Sequence, residues 1–281
     1  MELKTVLYEA GDGIGLITLN RPDRSNAWTG RMAVEYRTAM QLAEQDDRVG
    51  IIVVTGAGRH FCVGADSQAL DGYVQTGQYD PGIRETPPDP GDPAHPAYGT
   101  PFGFPLALDK PVIAAVNGAA AGVGFIAACF ADIRFGAAGA KWTPATSKLG
   151  LPAEYAISWI LPRLIGYGRA AEWLLSSRAV KSEEAYTMGL LHAVHPPEEV
   201  LDATLTYARR LLDDVAPSSL RSVKRQVSTD LFRTLPESSE EAVRLIHEMV
   251  GSEDYRQGVQ ALTEKRPPGF AARYRSESKQ V

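Results

Sequence analysis

Alternating and continuous apolar stretches at the start of the chain predict a β-hairpin followed by a helix. Apolar runs at Val6–Tyr8 and Ile14–Leu19 flank Gly11-Asp12-Gly13, which is a hairpin signal. Apolar residues at helical spacing then run from Gly30 to about residue 46. Thr29 precedes this run and is a residue type that caps helix N-termini. We therefore expect two paired strands and one amphipathic helix in this part of the chain.

Three further apolar runs, rich in β-branched residues, predict buried strands at residues 49–55, 110–116 and 132–135. A helix is predicted after Asp66 and another over 122–130. The repeated order of strand, loop and helix favours right-handed βαβ units in a largely parallel sheet. The predicted fold class is thus α/β.

The segment from about residue 72 to 104 has a different composition. It is rich in Pro, Gly and Asp and includes PPDPGDP at 87–93, which predicts a long loop or lid. Beyond residue 152 helical patterns predominate, and we predict helices at 153–164, 168–175, 182–188, 197–214, 217–229, 236–250 and 252–264. This change in pattern divides the chain into a core of residues 1–200 and a helical C-terminal section of residues 201–281.

Composition and charge remove several classes of function. The formal net charge is -5, so no overall positive field would attract nucleic acid or an anionic membrane. Cys62 and Cys129 stand far apart and form no CxxC pattern, and we predict neither a metal site nor a disulfide. The longest apolar stretch, residues 111–131, is interrupted by Asn117 and several glycines. It is more typical of a strand, a turn and a helix than of a membrane span, and we expect a cytoplasmic protein.

Two glycine-rich stretches, TGAGRHFCVGAD at 55–66 and AVNGAAAGVG at 115–124, each follow a predicted buried strand. Glycine lets a ligand approach the backbone closely, and a helix that begins directly afterwards points unpaired N–H groups at that ligand. Two such N–H groups that converge on one oxygen form an oxyanion hole. Each stretch taken alone also fits a simple turn, and neither has the pattern of a P-loop.

Both stretches together resemble the two oxyanion segments of the enoyl-CoA hydratase/isomerase (crotonase) family. The second corresponds to KPVIAAVNGAAAGVGF followed by ADIRF. RPDRSNAW, KLGLPAEYAISWILPRLIG and ALTEKRPPGF resemble further family motifs, in the same order, between about residues 6 and 272. The resemblance implies a crotonase-like spiral of ββα units with a C-terminal trimerisation section, and a homotrimer or homohexamer. It also implies an acyl-CoA thioester substrate and no cofactor other than the CoA that the substrate carries.

Carried over by position, the resemblance implies that the backbone N–H groups of Ala65 and Val123 form the oxyanion hole. It places Gly122 and Asp66 beside the substrate, although Asp66 also fits a helix cap or an ion pair. Arg24 and the backbone near Asn26 would lie near the CoA nucleotide. Lys265 would reach a CoA phosphate of a neighbouring subunit, or it is simply a solvated lysine.

The sequence departs from the family hydratases at their two glutamates. Ile126 and Thr146 stand at the matching positions, and neither side chain serves as a general acid or base near neutral pH. Glu154 stands where one branch of the family isomerases carries its single catalytic glutamate. Its apolar neighbours in LGLPAEYAISW predict a raised pKa, suited to a base, whereas an exposed first-turn glutamate is the simpler alternative.

The sequence therefore predicts Δ3,Δ2-enoyl-CoA isomerisation with Glu154 as the base. Three alternatives stay open: a hydratase that uses Glu154 alone, a thioester hydrolase or C–C cleaving enzyme, and a CoA-ester binding protein without catalysis.

Overall fold

The computed structural model describes residues 2–274, so the last seven residues of the predicted C-terminal section lie outside it. Six strands form the main sheet: β1 Val6–Gly11, β2 Ile14–Leu19, β3 Ile51–Gly56, β4 Val112–Val116, β6 Ile133–Ala137 and β9 Ala193–His195. A small second sheet contains β5 Ala120–Ala121, β7 Lys141–Thr143 and β8 Val180–Lys181.

The ten helices of the described chain are α1 Gly30–Gln45, α2 Ser67–Thr76, α3 Val123–Cys129, α4 Ile157–Ile165, α5 Tyr167–Ser176, α6 Ser182–Met188, α7 Val200–Asp214, α8 Pro217–Asp230, α9 Leu235–Met249 and α10 Glu253–Glu264. Short 3-10 turns occur at Pro22–Arg24, Phe104–Ala107, Thr146–Leu149 and Phe270–Tyr274.

The main sheet has the order β1-β2-β3-β4-β6-β9. The hairpin β1–β2 is antiparallel and closes with Gly11 opposite Ile14, and every later pair is parallel. The predicted hairpin and the predicted parallel sheet are therefore confirmed. Parallel strands need crossover connections, and these carry the glycine-rich stretches and the long loop to one edge of the sheet.

Two apolar layers pack on the two faces of the sheet, because successive strand residues point to opposite sides. Ile52 and Val54 of β3 contribute to the larger layer, which also holds residues of α1, α3 and α4. Ile51 and Val53 contribute to the smaller layer, which is covered by α7 and by the turn at Phe270–Tyr274. Helix α7 belongs to the predicted C-terminal section but packs on the main sheet. The division of the chain near residue 200 therefore stays a prediction.

Several elements match the sequence pattern, and two predicted helix boundaries are wrong. Helix α1 begins at Gly30, and the Thr29 side chain accepts a hydrogen bond from the Met32 N–H, as the pattern predicts. Helix α2 extends to Thr76, into the predicted loop, and ends where Gly77 takes a positive φ of 65°, a residue and conformation that terminate helices. The predicted helix at 153–164 begins only at Ile157.

Within residues 2–274, no helix combines the length and apolar character needed to cross a membrane.

Candidate active site

A cavity of about 900 Å³ opens between four parts of the chain. The start of α1 and the loop before it form one wall, and the two glycine-rich stretches form a second. The long loop that follows α2 covers the cavity, and residues 144–155 complete it. Of the predicted site residues, Ala65, Asp66, Gly122, Val123 and Glu154 all line this cavity, whereas Arg24, Asn26 and Lys265 do not.

Backbone pairing fixes the direction of the Ala65 N–H group. The Trp28 N–H donates to the Gly64 carbonyl (2.7 Å), and the Asp66 N–H donates to the Trp28 carbonyl (3.0 Å). Both bonds use residues that flank Ala65. The N–H of Ala65 itself therefore points away from Trp28.

The two glycine-rich stretches lie directly against each other. The Cys62 N–H donates to the Ala119 carbonyl (3.1 Å), and the Ala121 N–H donates to the Cys62 carbonyl (2.9 Å). A Cβ added at Gly122 would lie 3.5 Å from the Gly64 Cα. The residues that follow these two glycines are Ala65 and Val123, so both reach the same wall of the cavity.

Helix α3 begins at Val123 and supplies unpaired N–H groups at this wall. The Gly122 N–H is used by the Thr143 carbonyl (3.0 Å), and Gly122 has a positive φ of 49° and provides no side-chain cap. Across residues 2–274, the N–H groups of Ala65 and Val123 donate to no protein acceptor. Two N–H donors on one wall of an apolar cavity can stabilise negative charge that develops on a carbonyl oxygen.

Asp66 pairs with two arginines and caps α2. Its carboxylate accepts from the Gln68 N–H (3.1 Å) and pairs with Arg21 (3.0 Å) and Arg24 (3.4 Å). Burial by itself would raise the pKa of Asp66, but the Gln68 bond and the two guanidinium groups hold that pKa below its ordinary value. An ionised, fully paired carboxylate is a positioning group rather than a base.

The side chain of Asn26 holds the loop that contains Arg21 and Arg24 in place through three hydrogen bonds. Its side-chain amide donates to the carbonyls of Ala57 (2.9 Å) and His60 (2.7 Å), and its side-chain oxygen accepts from the Arg21 N–H (2.8 Å). The side chain is fully buried, so protein groups occupy its hydrogen-bonding capacity. Lys265 follows α10 and is exposed, outside the lining of its own chain's cavity.

Glu154 stands in a short loop before α4, not in the first turn of a helix. Tyr155 and Ala156 both adopt left-handed backbone conformations, with φ values of 47° and 59°. Two consecutive non-glycine residues in this region are costly and tend to occur at functional sites. Because α4 begins only after them, the alternative of a first-turn glutamate is wrong, and the loop holds Glu154 against the cavity.

The carboxylates that line the cavity differ in their partners. Asp66 pairs with Arg21 and Arg24, and Asp89 pairs with Arg37. Glu154 has no ion pair or hydrogen-bond partner for its carboxylate anywhere in residues 2–274. Burial raises the pKa of Glu154 above its ordinary value, because the ionised form loses hydration without gaining a compensating charge.

Ile126 and Thr146 occupy different environments. Ile126 is fully buried in α3 and does not line the cavity, whereas Thr146 does. Thr146 follows Ala145, whose φ is 62°. Thr146 therefore adds a hydroxyl to the lining of the cavity, and among the described lining residues Glu154 is the carboxyl without an arginine partner.

Sequence reasoning missed Arg37, which fastens the long loop over the cavity. Its guanidinium donates to the carbonyls of Pro88 (2.7 Å) and Thr100 (2.9 Å), pairs with Asp89, and lies 4.5 Å from the centre of the Phe104 ring. Arg37 stands in the sequence next to the apolar residues that predict the buried face of α1. A charged residue at such a position is a signal that could have revealed its role. The loop also touches the start of α1, where a Cβ on Gly30 would lie 1.9 Å from the Gly82 carbonyl oxygen.

Comparison with known proteins agrees with this geometry. A family model described as enoyl-CoA hydratase/isomerase matches residues 9–85 and 105–273, and the interruption falls in the long loop. A protein named probable enoyl-CoA hydratase from Rhodobacter capsulatus is 34% identical over 97% of this chain and 100% of that protein. The 1,2-epoxyphenylacetyl-CoA isomerase of Escherichia coli is 32% identical over 96% of this chain and 100% of that protein.

Solved structures show the same fold. The crystal structure of a probable enoyl-CoA hydratase/isomerase from Mycobacterium abscessus has a TM-score of 0.82 and 29% identity, and the match covers 94% of this chain and 98% of that one. The crotonase-type fold predicted from the motifs is therefore confirmed. The chain belongs to the enoyl-CoA hydratase/isomerase family.

Proposed function

We propose that this protein is an acyl-CoA isomerase that moves a double bond from C3 to C2 of an enoyl-CoA, with Glu154 as the proton carrier. One observation carries the proposal: Glu154 is a half-buried carboxylate that lines the cavity, and it has no cation beside it among the described residues. A raised pKa brings a carboxyl closer to the range in which it both accepts and returns a proton.

The proposed reaction needs one base and one oxyanion hole. The thioester oxygen accepts hydrogen bonds from the N–H groups of Ala65 and Val123. Glu154 removes a C2 proton, and the electron pair of that C–H bond forms a dienolate whose negative charge rests on the oxygen. The dienolate then takes the proton from Glu154 at C4, and the double bond between C2 and C3 forms. Each donor in such a hole typically contributes about 10²–10³ to the rate.

The other described carboxylates of the cavity, Asp66 and Asp89, are both paired with arginines, and the lack of a second unpaired carboxyl among the described lining residues favours isomerisation over hydration. Isomerisation moves one proton between two carbons of the same acyl chain, so one base on one face is sufficient. Hydration also requires a group that activates water, and neither Ile126 nor Thr146 can ionise near neutral pH. Relatives with hydratase names and relatives with isomerase names occur at similar identity, which keeps hydration by Glu154 alone as the second candidate.

The experiment mixes the purified protein with a 3-enoyl-CoA and, separately, with a 2-enoyl-CoA, and follows the conjugated thioester absorbance and the product masses. We expect absorbance to rise from the 3-enoyl ester without a change in mass. Loss of conjugation from the 2-enoyl ester, with addition of water, would establish hydration instead. Release of free CoA or a shortened acyl chain would indicate hydrolysis or C–C cleavage, and binding without turnover would indicate a CoA-ester binding protein.

A pair of variants isolates the role of Glu154. Glu154→Gln keeps the size of the side chain but removes the base, and kcat should fall by about 10²–10⁴ while CoA-ester binding is retained. Glu198→Gln is the control, because Glu198 is an exposed glutamate outside the helices and strands. Equal activity in both variants would remove Glu154 from the mechanism.

Assembly into a homotrimer or homohexamer is proposed on the character of the C-terminal helices. Helix α9 has no buried residue, and its apolar Val243 and Ile246 each expose more than half of their surface in a single chain, as Val250 directly after the helix nearly does at 49%. An apolar helix face of this kind is typical of a subunit contact. Light scattering would give the mass in solution, and Lys265→Ala would test whether that residue reaches a CoA phosphate of a neighbouring subunit. A cytoplasmic location stays a prediction.

A further inference from the structure

Four aromatic side chains form a continuous wall of the cavity, which we call the aromatic wall: Tyr36, Trp28, Phe102 and Tyr155. Neighbouring rings along this series have centroids 5.4, 5.2 and 4.9 Å apart. They come from α1, from the loop before it, from the long loop and from the loop that carries Glu154. Chain segments that are remote in sequence thus each contribute a ring to one surface.

The rings of the aromatic wall meet at steep angles. The interplanar angles are 72° between Tyr36 and Trp28, 52° between Trp28 and Phe102, and 63° between Phe102 and Tyr155. Aromatic rings attract one another most strongly in such tilted and edge-to-face arrangements. A wall of tilted rings therefore presents both ring edges and ring faces to a ligand in the cavity.

The aromatic wall is held in place before any ligand binds. Trp28, Tyr36 and Phe102 are buried, and Tyr36 packs edge-on against Phe104, with centroids 5.9 Å apart. Phe104 is in turn covered by the guanidinium of Arg37. Because these rings are already ordered, a ligand that uses them loses little free energy to reorganisation.

We propose that the acyl group bound in this cavity carries an aromatic ring, which packs against Phe102 and Tyr155 beside Glu154. The proposal rests on the proposed function, namely that CoA thioesters bind in this cavity. Burial of apolar area alone does not distinguish an aromatic ring from a saturated ring of the same carbon count. Edge-to-face contacts distinguish the two rings, because only an aromatic ring has the required charge distribution.

Phenylacetyl-CoA and cyclohexylacetyl-CoA form a matched pair of probes, since they differ only in the saturation of the six-membered ring. Octanoyl-CoA has the same number of acyl carbons without a ring. Isothermal titration calorimetry would give the three dissociation constants. A single aromatic contact contributes enough to favour the aromatic ester by about threefold to tenfold. We expect phenylacetyl-CoA to bind at least about threefold more tightly than each of the other two esters.

Variants locate the preference at the aromatic wall. In Phe102→Leu, and independently in Tyr155→Leu, the ratio between cyclohexylacetyl-CoA and phenylacetyl-CoA dissociation constants should fall by about threefold to tenfold, and in the double variant it should fall to within about twofold of one. Phe135→Leu is the control. Phe135 is as buried as Phe102, at 6% exposure, but it packs in the smaller apolar layer on the other face of the sheet. The ratio should be unchanged in this variant.

Failure of this inference differs from failure of the proposed function. If all three esters bind but the aromatic one has no advantage, the aromatic wall does not select the acyl group and the inference is wrong, while acyl-CoA binding stands. If no ester binds more tightly than an adenine nucleotide without the pantetheine thioester, the proposed function is wrong as well. A preference for the aromatic ester that is undiminished in both single variants would also overturn the assignment.

Discussion

Gly124 offers a direct test of the oxyanion hole, because the close packing of α3 depends on a missing side chain. A Cβ added at Gly124 would lie 2.3 Å from the Cys62 carbonyl oxygen and 2.6 Å from the Cys62 Cβ. Real Cβ atoms essentially never approach other atoms within 3.0 Å. In Gly124→Ala, the start of α3 and the segment at Cys62 must therefore separate by at least about 0.7 Å.

This displacement would move one of the two proposed donors. Val123 is the residue before Gly124, so its N–H group shifts with the helix start, while the Ala65 N–H stays with the other stretch. Donors in an oxyanion hole act at 2.7–3.1 Å from the oxygen, and a misplacement of about 1 Å costs about 10² in rate. We expect kcat for isomerisation to fall by about 10². The free energy of unfolding should fall by about 1–3 kcal/mol, as for other overpacked sites.

The assay measures kcat and KM with a 3-enoyl-CoA, together with urea unfolding of the same samples. Gly168→Ala is the matched control, since Gly168 lies exposed in α5 with no atom within 4 Å of an added Cβ. That substitution should leave kcat unchanged and raise the free energy of unfolding by about 0.5–1 kcal/mol. A folded Gly124→Ala protein with kcat within twofold of the parent would refute the placement of Val123 in the hole.

Four further predictions concern individual side chains. Activity should decline as the pH falls through the raised pKa of Glu154, because only the carboxylate accepts a proton. A carboxyl whose pKa is raised in the folded state lowers stability above that pKa, so Glu154→Gln should unfold at higher urea at pH 7 but not below about pH 4.3, where both states are protonated. Arg37→Met should weaken the fastening of the long loop, raise KM and speed proteolysis between residues 77 and 101, with a loss of about 2–4 kcal/mol in stability. Lys224→Met should cost about 3–5 kcal/mol in thermal unfolding, since it leaves Asp132 without the Lys224 ammonium group 2.6 Å away.

The sequence pattern predicted an element correctly wherever the interactions that stabilise the element join residues close in sequence. The hairpin at Gly11–Gly13, the Thr29 cap and the helix at Ser182–Met188 each depend on residues within a few positions of one another. Glycines after the buried strands likewise indicated where the backbone would approach a ligand. These features follow from chain stereochemistry and from periodic burial, which the sequence displays directly.

Elements with weak local signals were not predicted. Strands β5, β7 and β8 have only two or three residues each, too few to show a period. The helix predicted from residue 153 begins at Ile157, because tertiary packing holds Tyr155 and Ala156 in a left-handed conformation that their own preferences oppose. Sequence propensity is a weak guide where packing stabilises an unfavourable backbone.

The sequence by itself determined the fold class, the two glycine-rich stretches and the candidacy of Glu154. Only the tertiary structure decided that Gly64 meets Gly122, that Arg37 fastens the long loop, and that four remote rings form one wall. It also decided the isolation of Glu154, since desolvation depends on every group that surrounds a carboxyl and not on its neighbours in sequence. Contacts between residues far apart along the chain arise from the packing of whole elements, and a linear pattern carries no direct record of them.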